Sequence, residues 1–487
     1  KDGNHHPYNG IDAEGTPTTG NPVLEGKLNI DGYVYEETAN IVKQNFPTIE
    51  FTPKGYYVKF QDKNVLQVLL NNGVGDGVGI TKEAAEKVTS IGNWFYNNKS
   101  IETFDEFEQF YKVTSLTYNA FQQCSSLTSI IIPTSVKSIA EGNANYGCFQ
   151  DCTSLKKVKA TGITSFGRGV FLRCSSLSEI DVNWDEMVKI GQSVFSSCTS
   201  LEIEDLSLPN LEELGKNAFY GVKIRKISNL GKLTALPVAD SSATQNYGDK
   251  DILEEIHIPQ GVTTIPLYSF ANNIALRNIY LPETITSIGS SAFYGCTNLE
   301  IEALILPNLA TLGQNAFNGV KIKILNISKV KSLPDGLNAV NYGVKSVLEE
   351  IVLSEDVTSF PRYCFNGYTN LRKINIPSGV TSIGEACFLG TKIEGDVYLS
   401  DIISITSRAF DGTNISSFSA PKLTTIGGQV NGRGVFEGCG NLTTIDISSI
   451  QTINSQAFKN CVLKGEIVIN ATTIGDGAFY GNEIEVL

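Results

Sequence analysis

Apolar residues recur along most of the chain in a fixed pattern, in which a strand-like run is followed by a turn and an aromatic residue. The first part reads "LEEIHIP" from Leu253, and the second reads "TSIGSSAFYGC" from Thr286. An I-x-I alternation is typical of a strand with one buried face, and the proline after it stops pairing with a neighbouring strand. Glycine permits the turn, and phenylalanine fills the interior. The pattern therefore predicts a repeated β unit.

The phenylalanine of this unit recurs mostly every 21 to 28 residues. The anchors are Phe121, Phe149, Phe171, Phe195, Phe219, Phe270, Phe293, Phe317, Phe365, Phe388, Phe410, Phe436, Phe458 and Phe479. Two gaps are about twice as long. Each contains a degenerate repeat, here called a worn unit, around "LTALPVAD" and "KSLPDGLN". The segment from Cys198 also matches the segment from Cys296 at an offset of 98, which indicates duplication of a four-unit block. Together these features give about sixteen units.

A single unit of this kind cannot bury its own apolar face, whereas stacked units form a continuous core. We therefore predict a β-rich solenoid over residues 89–487. Residues 23–88 lack the repeat and are predicted to form a small N-terminal cap or subdomain. Residues 1–22 are rich in Gly, Asn, Pro and Thr and are predicted to be a flexible tether.

The combined pattern L-x-x-I-x-I-P, V-T-S-I-G and A-F-x-G-C resembles the BspA-like leucine-rich repeat family. That family occurs on surface and secreted proteins of host-associated bacteria and of some parasitic protists. The resemblance implies a leucine-rich repeat solenoid and a role in adhesion or host interaction at the cell surface or after secretion. Because the chain begins "KDGNHHPYNG" and not with Met, we expect that an export signal or lipid anchor has been removed.

Composition narrows the range of partners. The formal net charge of −13 opposes binding to nucleic acid, which requires clustered Lys and Arg. No apolar run approaches the roughly 18 residues of a transmembrane segment. We expect a monomer without a cofactor that binds a protein partner, such as a host extracellular-matrix protein.

The ten cysteines follow the repeat, since seven come three residues after an anchor Phe and the other three immediately precede one. This placement favours buried, apolar cysteine side chains. Disulfides between adjacent units remain an alternative, although side chains of stacked units point in parallel. The two thiols of "YGCFQDC" have no histidine nearby, which argues against a metal site.

No motif for nucleophilic, metal-dependent or phosphate chemistry occurs, so we predict that the protein is not an enzyme. The acidic pairs Glu254–Glu255 and Glu349–Glu350 could be imagined as the two carboxylates of a glycosidase. They recur in register at exposed strand positions, which is better explained by solvation. A weak calcium-loop resemblance in residues 72–83 would use Asn72 and Asp76 as ligands, but Val74 occupies a ligand position.

The outward positions of the strands vary in sequence and alternate in charge, which favours protein recognition. The candidate binding residues on this surface are Lys157, Lys159, His257, Arg277, Tyr280, Arg372 and Lys373. We expect the anchors among them to be Tyr280, Arg277 and Arg372, because aromatic and Arg side chains dominate binding energy. Two alternatives remain: a structural spacer that holds another module away from the cell, and carbohydrate binding, which 2 Trp and no aromatic ladder disfavour.

Overall fold

Each repeat unit forms one turn of a parallel β-solenoid, here called a rung. In this computed structural model, residues 26–35, 41, 44, 49–142, 147–336, 339–427 and 433–486 are described, with only the backbone for 26–35, 49–56 and 486. The chain has about sixteen turns, so the predicted fold class is confirmed. The chain packs as two compact units, Lys1–Glu202 and Ile203–Leu487. The predicted boundaries at residues 22 and 88 stay a prediction, and the predicted tether lies outside the described residues.

The first unit begins with non-repeat structure. Strands Gly26–Tyr35 and Ile49–Tyr57 pair in parallel. Helix Lys63–Asn71 follows, with Asp62 as its N-cap, and a second, short helix lies at Lys82–Lys87. Thr81 caps this second helix by accepting a hydrogen bond from the backbone N–H of Ala84 at 3.2 Å. No described helix has the length and apolar character that a membrane crossing requires.

Rungs of the first unit contribute two strands each, one in each of two parallel sheets. The strands of the I-x-I segment are Thr103–Phe104, Ser129–Ile131, Lys157–Lys159 and Glu179–Asp181. The strands before the glycine turn are Ser115–Leu116, Ser138–Ile139, Ser165–Phe166 and Lys189–Ile190. Two 3-10 helices, Asp105–Gln109 and Trp184–Glu186, lie among them.

The second unit repeats this arrangement. Its I-x-I strands are Glu202–Ser207, Lys223–Asn229, Glu255–His257, Asn278–Tyr280, Glu300–Ile305, Lys321–Ile327, Glu350–Leu353, Lys373–Ile374, Glu394–Tyr398, Asn414–Ser419, Thr444–Asp446, Lys464–Glu466 and Glu483–Val486. Its shorter strands are Glu213–Leu214, Thr264–Ile265, Ser287–Ile288, Thr311–Leu312, Ser359–Phe360, Ser382–Ile383, Ser404–Ile405, Thr425–Ile426, Thr452–Ile453 and Thr473–Ile474. Each worn unit has an I-x-I strand but, among the described residues, lacks the shorter strand that precedes the glycine turn.

Stacked aromatic rings form part of the core of each unit. Phe436 and Phe458 are parallel within 3°, with ring centroids 5.2 Å apart, and other neighbouring anchors, such as Phe293 and Phe317, stack similarly. In the two worn units a tyrosine takes the anchor position, because Tyr247 stacks on Phe270 at 5.0 Å and Tyr342 stacks on Phe365 at 4.9 Å. The sequence search missed these anchors because it followed phenylalanine. The shared "NYG" of both worn units was the available signal.

All ten cysteines are buried and free. Those after an anchor Phe donate a hydrogen bond to the carbonyl of the preceding rung's Phe, as Cys174 does to Phe149 at 3.0 Å. Burial raises the pKa of Cys198 to about 12. The interpretation of the cysteines as core residues is confirmed, and the disulfide alternative is not supported.

Candidate protein-binding face

The outward side chains of the I-x-I strands form a continuous surface in each unit. Alternation along a strand sends every second side chain outward, and the parallel register aligns these side chains between rungs. For example, Glu255 lies opposite Asn278, and His257 lies opposite Tyr280. We call the outward surface of the second unit, from Glu255 to Asn375, the strand face. It contains His257 and Tyr280 on one four-stranded sheet and Lys373 on the next, while Arg277 and Arg372 immediately precede the strands Asn278–Tyr280 and Lys373–Ile374.

An aromatic pair lies at one end of the strand face. The rings of His257 and Tyr280 are 4.0 Å apart at their centroids, with an interplanar angle of 36°. His257 Nε2 is 2.8 Å from Glu255 Oε1, and Lys226 Nζ reaches the same oxygen at 3.1 Å. The hydrogen bond from His257, followed by the one from Lys226, lowers the pKa of Glu255. These contacts position Tyr280, which remains 52% exposed and available to a partner.

A column of charged residues with alternating sign borders the strand face. Backbone hydrogen bonds place its members on successive rungs, as from Glu254 N–H to the Arg225 carbonyl at 2.8 Å and from Arg277 N–H to the Glu254 carbonyl at 2.9 Å. The column has two parts, one in each of two sheets: Glu204, Arg225, Glu254 and Arg277, and then Glu302, Lys323, Glu349 and Arg372. Attraction between neighbours of opposite sign stabilises the stack, although exposed pairs contribute only about 0–1 kcal/mol each.

Ion pairs already engage several cations of this column. Arg225 contacts Glu254 at 3.0 Å, and Lys323 contacts Glu302 at 2.7 Å. By contrast, neither Arg277 nor Arg372 has a carboxylate at ion-pair distance within the part of the chain that the structure describes. Both arginines are exposed. Their guanidinium groups can therefore engage a partner without first breaking an ion pair.

Apolar side chains occupy other outward positions on the rungs between these two arginines. Ile305 is 61% exposed, Ala303 is also exposed, and Ile324 and Val352 are half-buried. The register places Ala303 opposite Ile324, and Asn326 lies between Ile305 and Val352. We call Tyr280, Ala303, Ile305, Ile324 and Val352 the apolar patch. Exposed apolar side chains grouped on neighbouring rungs are candidates for an interaction site.

In the later sheet formed by Glu394–Tyr398, Asn414–Ser419 and Thr444–Asp446, the corresponding outward positions are polar apart from Tyr398. Ser417 lies opposite Thr444, and Ser419 lies opposite Asp446. The apolar patch is therefore a local feature of four rungs and not a general property of the repeat. The sequence search missed Ala303, Ile305 and Ile324. The strand of "LEIEALILP" has two additional residues, which shift its outward positions relative to "LEEIHIP". Alignment on the following proline would have identified Ile305.

Two of the three predicted lysines, Lys157 and Lys373, are engaged in ion pairs. Lys157, in the first unit, contacts Glu179 at 2.7 Å, and this contact raises the pKa of Lys157. Lys159 lies opposite Asp181. On the strand face, Lys373 is 3.8 Å from Glu350. The structure therefore pairs Lys157 and Lys373 with glutamates of neighbouring rungs and leaves Tyr280, Arg277 and Arg372 more available.

The proposed calcium ligands have other roles. Asp76 accepts hydrogen bonds from the backbone N–H of Gly79 at 2.9 Å and of Val78 at 3.0 Å, and from the Tyr57 hydroxyl at 2.7 Å. These bonds lower the pKa of Asp76, with that of Gly79 contributing most. The Asn72 amide donates to the Val68 carbonyl at 2.8 Å. Within the described ranges, no three His, Cys, Asp or Glu side chains are grouped so that they could hold a metal ion. Calcium binding there stays a hypothesis.

The stacked rungs and their outward face define this molecule as a leucine-rich repeat protein. The family described as "BspA type Leucine rich repeat region" matches in 6 copies, over residues 81–146, 114–239, 244–339, 342–463 and 397–487. The chain belongs to this family, so the resemblance found in the sequence is confirmed.

Solved structures with similarity to this chain include other leucine-rich repeat proteins. One, from Bacteroides ovatus, is 20% identical over 67% of this chain and 87% of that chain, with a TM-score of 0.43. A leucine-rich cell surface protein from Faecalibacterium prausnitzii is 21% identical over 69% and 83%, with a TM-score of 0.25. The pneumococcal vaccine antigen PcpA is 17% identical over 60% and 74%, with a TM-score of 0.26. No curated protein matches the chain.

Proposed function

We propose that this protein is a non-enzymatic, monomeric binding protein, displayed on a cell surface or secreted, that recognises a host or matrix protein through the strand face. The observation that carries the proposal is the apolar patch, in which Tyr280 and Ile305 remain 52% and 61% exposed between ion-paired neighbours. Burial of such side chains is the main source of affinity in protein interfaces. Membership of a family that is typical of bacterial surface proteins supports the location.

The test is a binding assay of the purified chain against extracellular-matrix proteins and mucins. A Tyr280→Ala/Ile305→Ala double variant removes the two most exposed members of the apolar patch. Tyr398→Ala is the matched control, because Tyr398 is 61% exposed on another rung of the second unit. Loss of one hot-spot residue costs at least about 2 kcal/mol, which corresponds to roughly 30-fold in affinity.

We expect saturable binding to at least one panel member, with a loss of about 30-fold or more in the double variant and little change in Tyr398→Ala. Circular dichroism of each variant confirms that the fold is retained. Binding that the double variant leaves intact would assign recognition to another surface. No binding by the parent chain would favour the structural spacer, for which the ion pairs between rungs provide a rationale.

A further inference from the structure

We propose that the strand face bends at a break in its sheet between Tyr280 and Ile305, so that the proposed binding surface opens and closes there. Because it concerns the regulation of that surface, this inference rests on the proposed function. The I-x-I strands of the second unit fall into separate sheets, and Asn278–Tyr280 and Glu300–Ile305 are neighbouring edge strands of two of them. We call the position between these two strands the sheet break.

Inserted residues explain the sheet break. The rung "LEIEALILP" has two more residues than the preceding "LRNIYLP", and the following "VKIKILNIS" has the same two. The two insertions pair with each other, since Ile301 lies opposite Ile322 and Glu302 is 2.7 Å from Lys323. They have no counterpart in the preceding rung. The ladder therefore stops where a rung of ordinary length meets a longer one.

Backbone hydrogen bonds show the interruption at the residue before the proline of each rung. Ile258 N–H donates to the Tyr280 carbonyl at 2.9 Å, one rung before the sheet break. Leu306 N–H donates to the Asn326 carbonyl at 3.1 Å, one rung after it. Leu281 holds the equivalent position at the sheet break, and its N–H has no backbone acceptor among the described residues.

The core is less covered at the sheet break than elsewhere. Ile279, the central residue of its I-x-I strand, is half-buried, whereas Ile256 on the preceding rung is 0% exposed. Ile374 and Ile445 are also half-buried, and each lies on the last strand of its own sheet. At Ile374 the surface forms an open depression of about 300 Å³, which Glu394 of the next sheet also lines. Solvent therefore enters between rungs on the strand side wherever a sheet ends.

The opposite side of the same two rungs remains joined. Their shorter strands pair, with Ser287 opposite Thr311. Their anchor rings also stack, since the centroids of Phe293 and Phe317 are 5.6 Å apart with an interplanar angle of 6°. Because only the strand side lacks a ladder, the least restrained motion is a rotation about the shorter-strand sheet. Such a rotation changes the separation of the strands that carry Tyr280 and Ile305.

Opposite charges favour the closed position without locking it. Arg277 precedes the strand on one side of the sheet break, and Glu300 begins the strand on the other. The pKa of Glu300 is lowered mainly by its hydrogen bond from Lys321, and the charge of Arg277 adds to this effect. Attraction between exposed charges is weak in water, so a partner can shift the balance in either direction.

Hydrogen exchange of the full chain, without a partner, tests the sheet break at single amides. After correction for intrinsic rates, we expect the Leu281 amide to exchange at least about tenfold faster than the amides of Ile258 and Leu306, because a laddered amide exchanges only on opening. Equal protection at the three positions would overturn the inference.

Two deletions test the cause. Removal of Ile301, Glu302, Ile322 and Lys323 gives both longer rungs the ordinary length, so exchange of the Leu281 amide should slow about tenfold. Removal of Ile301 and Glu302 alone is the matched control and should move the break by one rung, so that the Leu306 amide becomes the fast one. A folded four-residue deletion in which Leu281 stays fast would contradict the explanation. The comparison within the parent chain decides the outcome if a deletion does not fold.

Spin labels measure the bending itself. A Glu254→Cys/Glu300→Cys pair lies on the strand side and a Thr264→Cys/Thr311→Cys pair on the opposite side, and each spans two rung steps, or about 10 Å. The native cysteines are buried, so labelling is selective. We expect a broader distance distribution on the strand side, which the four-residue deletion narrows. Equal widths on both sides would refute a hinge.

These measurements need no partner, so they are decided independently of the binding panel. If the panel identifies a partner, its binding should change the Leu281 exchange rate by about tenfold and leave the Ile258 rate unchanged. A partner that requires Tyr280 and Ile305 but leaves Leu281 exchange as it was would support the proposed function and refute regulation by bending.

Discussion

Tyr247 and Tyr342 hold equivalent positions in the two worn units but differ in the environment of their hydroxyl groups. Both side chains are buried, and both rings stack on the next anchor Phe. The Tyr342 hydroxyl is 3.3 Å from Cys364 Sγ. The Tyr247 hydroxyl has no hydrogen-bond partner among the described residues. Replacement of each tyrosine by phenylalanine should therefore change stability in opposite directions.

The magnitudes follow from the two hydroxyl environments. A buried polar group without a partner costs about 1–3 kcal/mol, so Tyr247→Phe should stabilise the fold by about 1 kcal/mol. Tyr342→Phe removes a hydrogen bond to a weakly polar thiol and should destabilise the fold by about 0.5 kcal/mol. Because both variants retain the ring, stacking and packing volume remain the same. We expect a difference of about 1.5 kcal/mol between the two variants, from the sum of these effects.

Urea denaturation followed by circular dichroism measures the two variants against the parent chain. Since repeat arrays can unfold in parts, hydrogen exchange over residues 240–275 and 336–370 reports the local effect. Tyr280→Phe, at an exposed position, is the control and should leave the urea midpoint unchanged. The reasoning would be refuted by a Tyr247→Phe variant that is less stable than the parent, because its hydroxyl would then have a favourable interaction in the folded chain.

Two further predictions concern close packing and charge. Gly313→Ala should destabilise the fold by roughly 1–3 kcal/mol in thermal melts, because the added methyl group would overlap the backbone of Ser290, whereas Gly379→Ala meets open space and should be neutral. Arg173 donates a hydrogen bond to Asp151 at 2.6 Å and lowers the pKa of Asp151 below the usual 3.8. The pair therefore stabilises the fold fully above pH 3.8, and this contribution is lost as the pH falls through the lowered pKa. Asp151→Asn should remove this part of the pH dependence of the free energy of unfolding, which is under about 1 kcal/mol for a partly exposed pair. A pH profile of urea midpoints that is the same in the variant and the parent would contradict the assignment.

The strand face shows where the sequence was informative and where it was not. The outward positions of His257, Arg277 and Tyr280 could be predicted, because the strand period and the following proline fix them locally. Their partners could not be predicted. Arg225 contacts Glu254, which is 29 residues later, and only the stacking of rungs brings the two together. The same stacking leaves Arg277 without an ion pair in the described part of the chain, although its sequence setting resembles that of Arg225.

The sequence by itself determined the repeat, the rung and the composition of the core. Each rung meets neighbours like itself, so a short periodic pattern specifies the contacts of every Phe and Cys. Only the tertiary structure decided that Tyr247 and Tyr342 continue the aromatic column, that the lysines of the face are paired, and that an apolar patch is concentrated around Ile305. These features depend on side chains from different rungs, whose register shifts with inserted residues and worn units. Local periodicity carries no information about such differences.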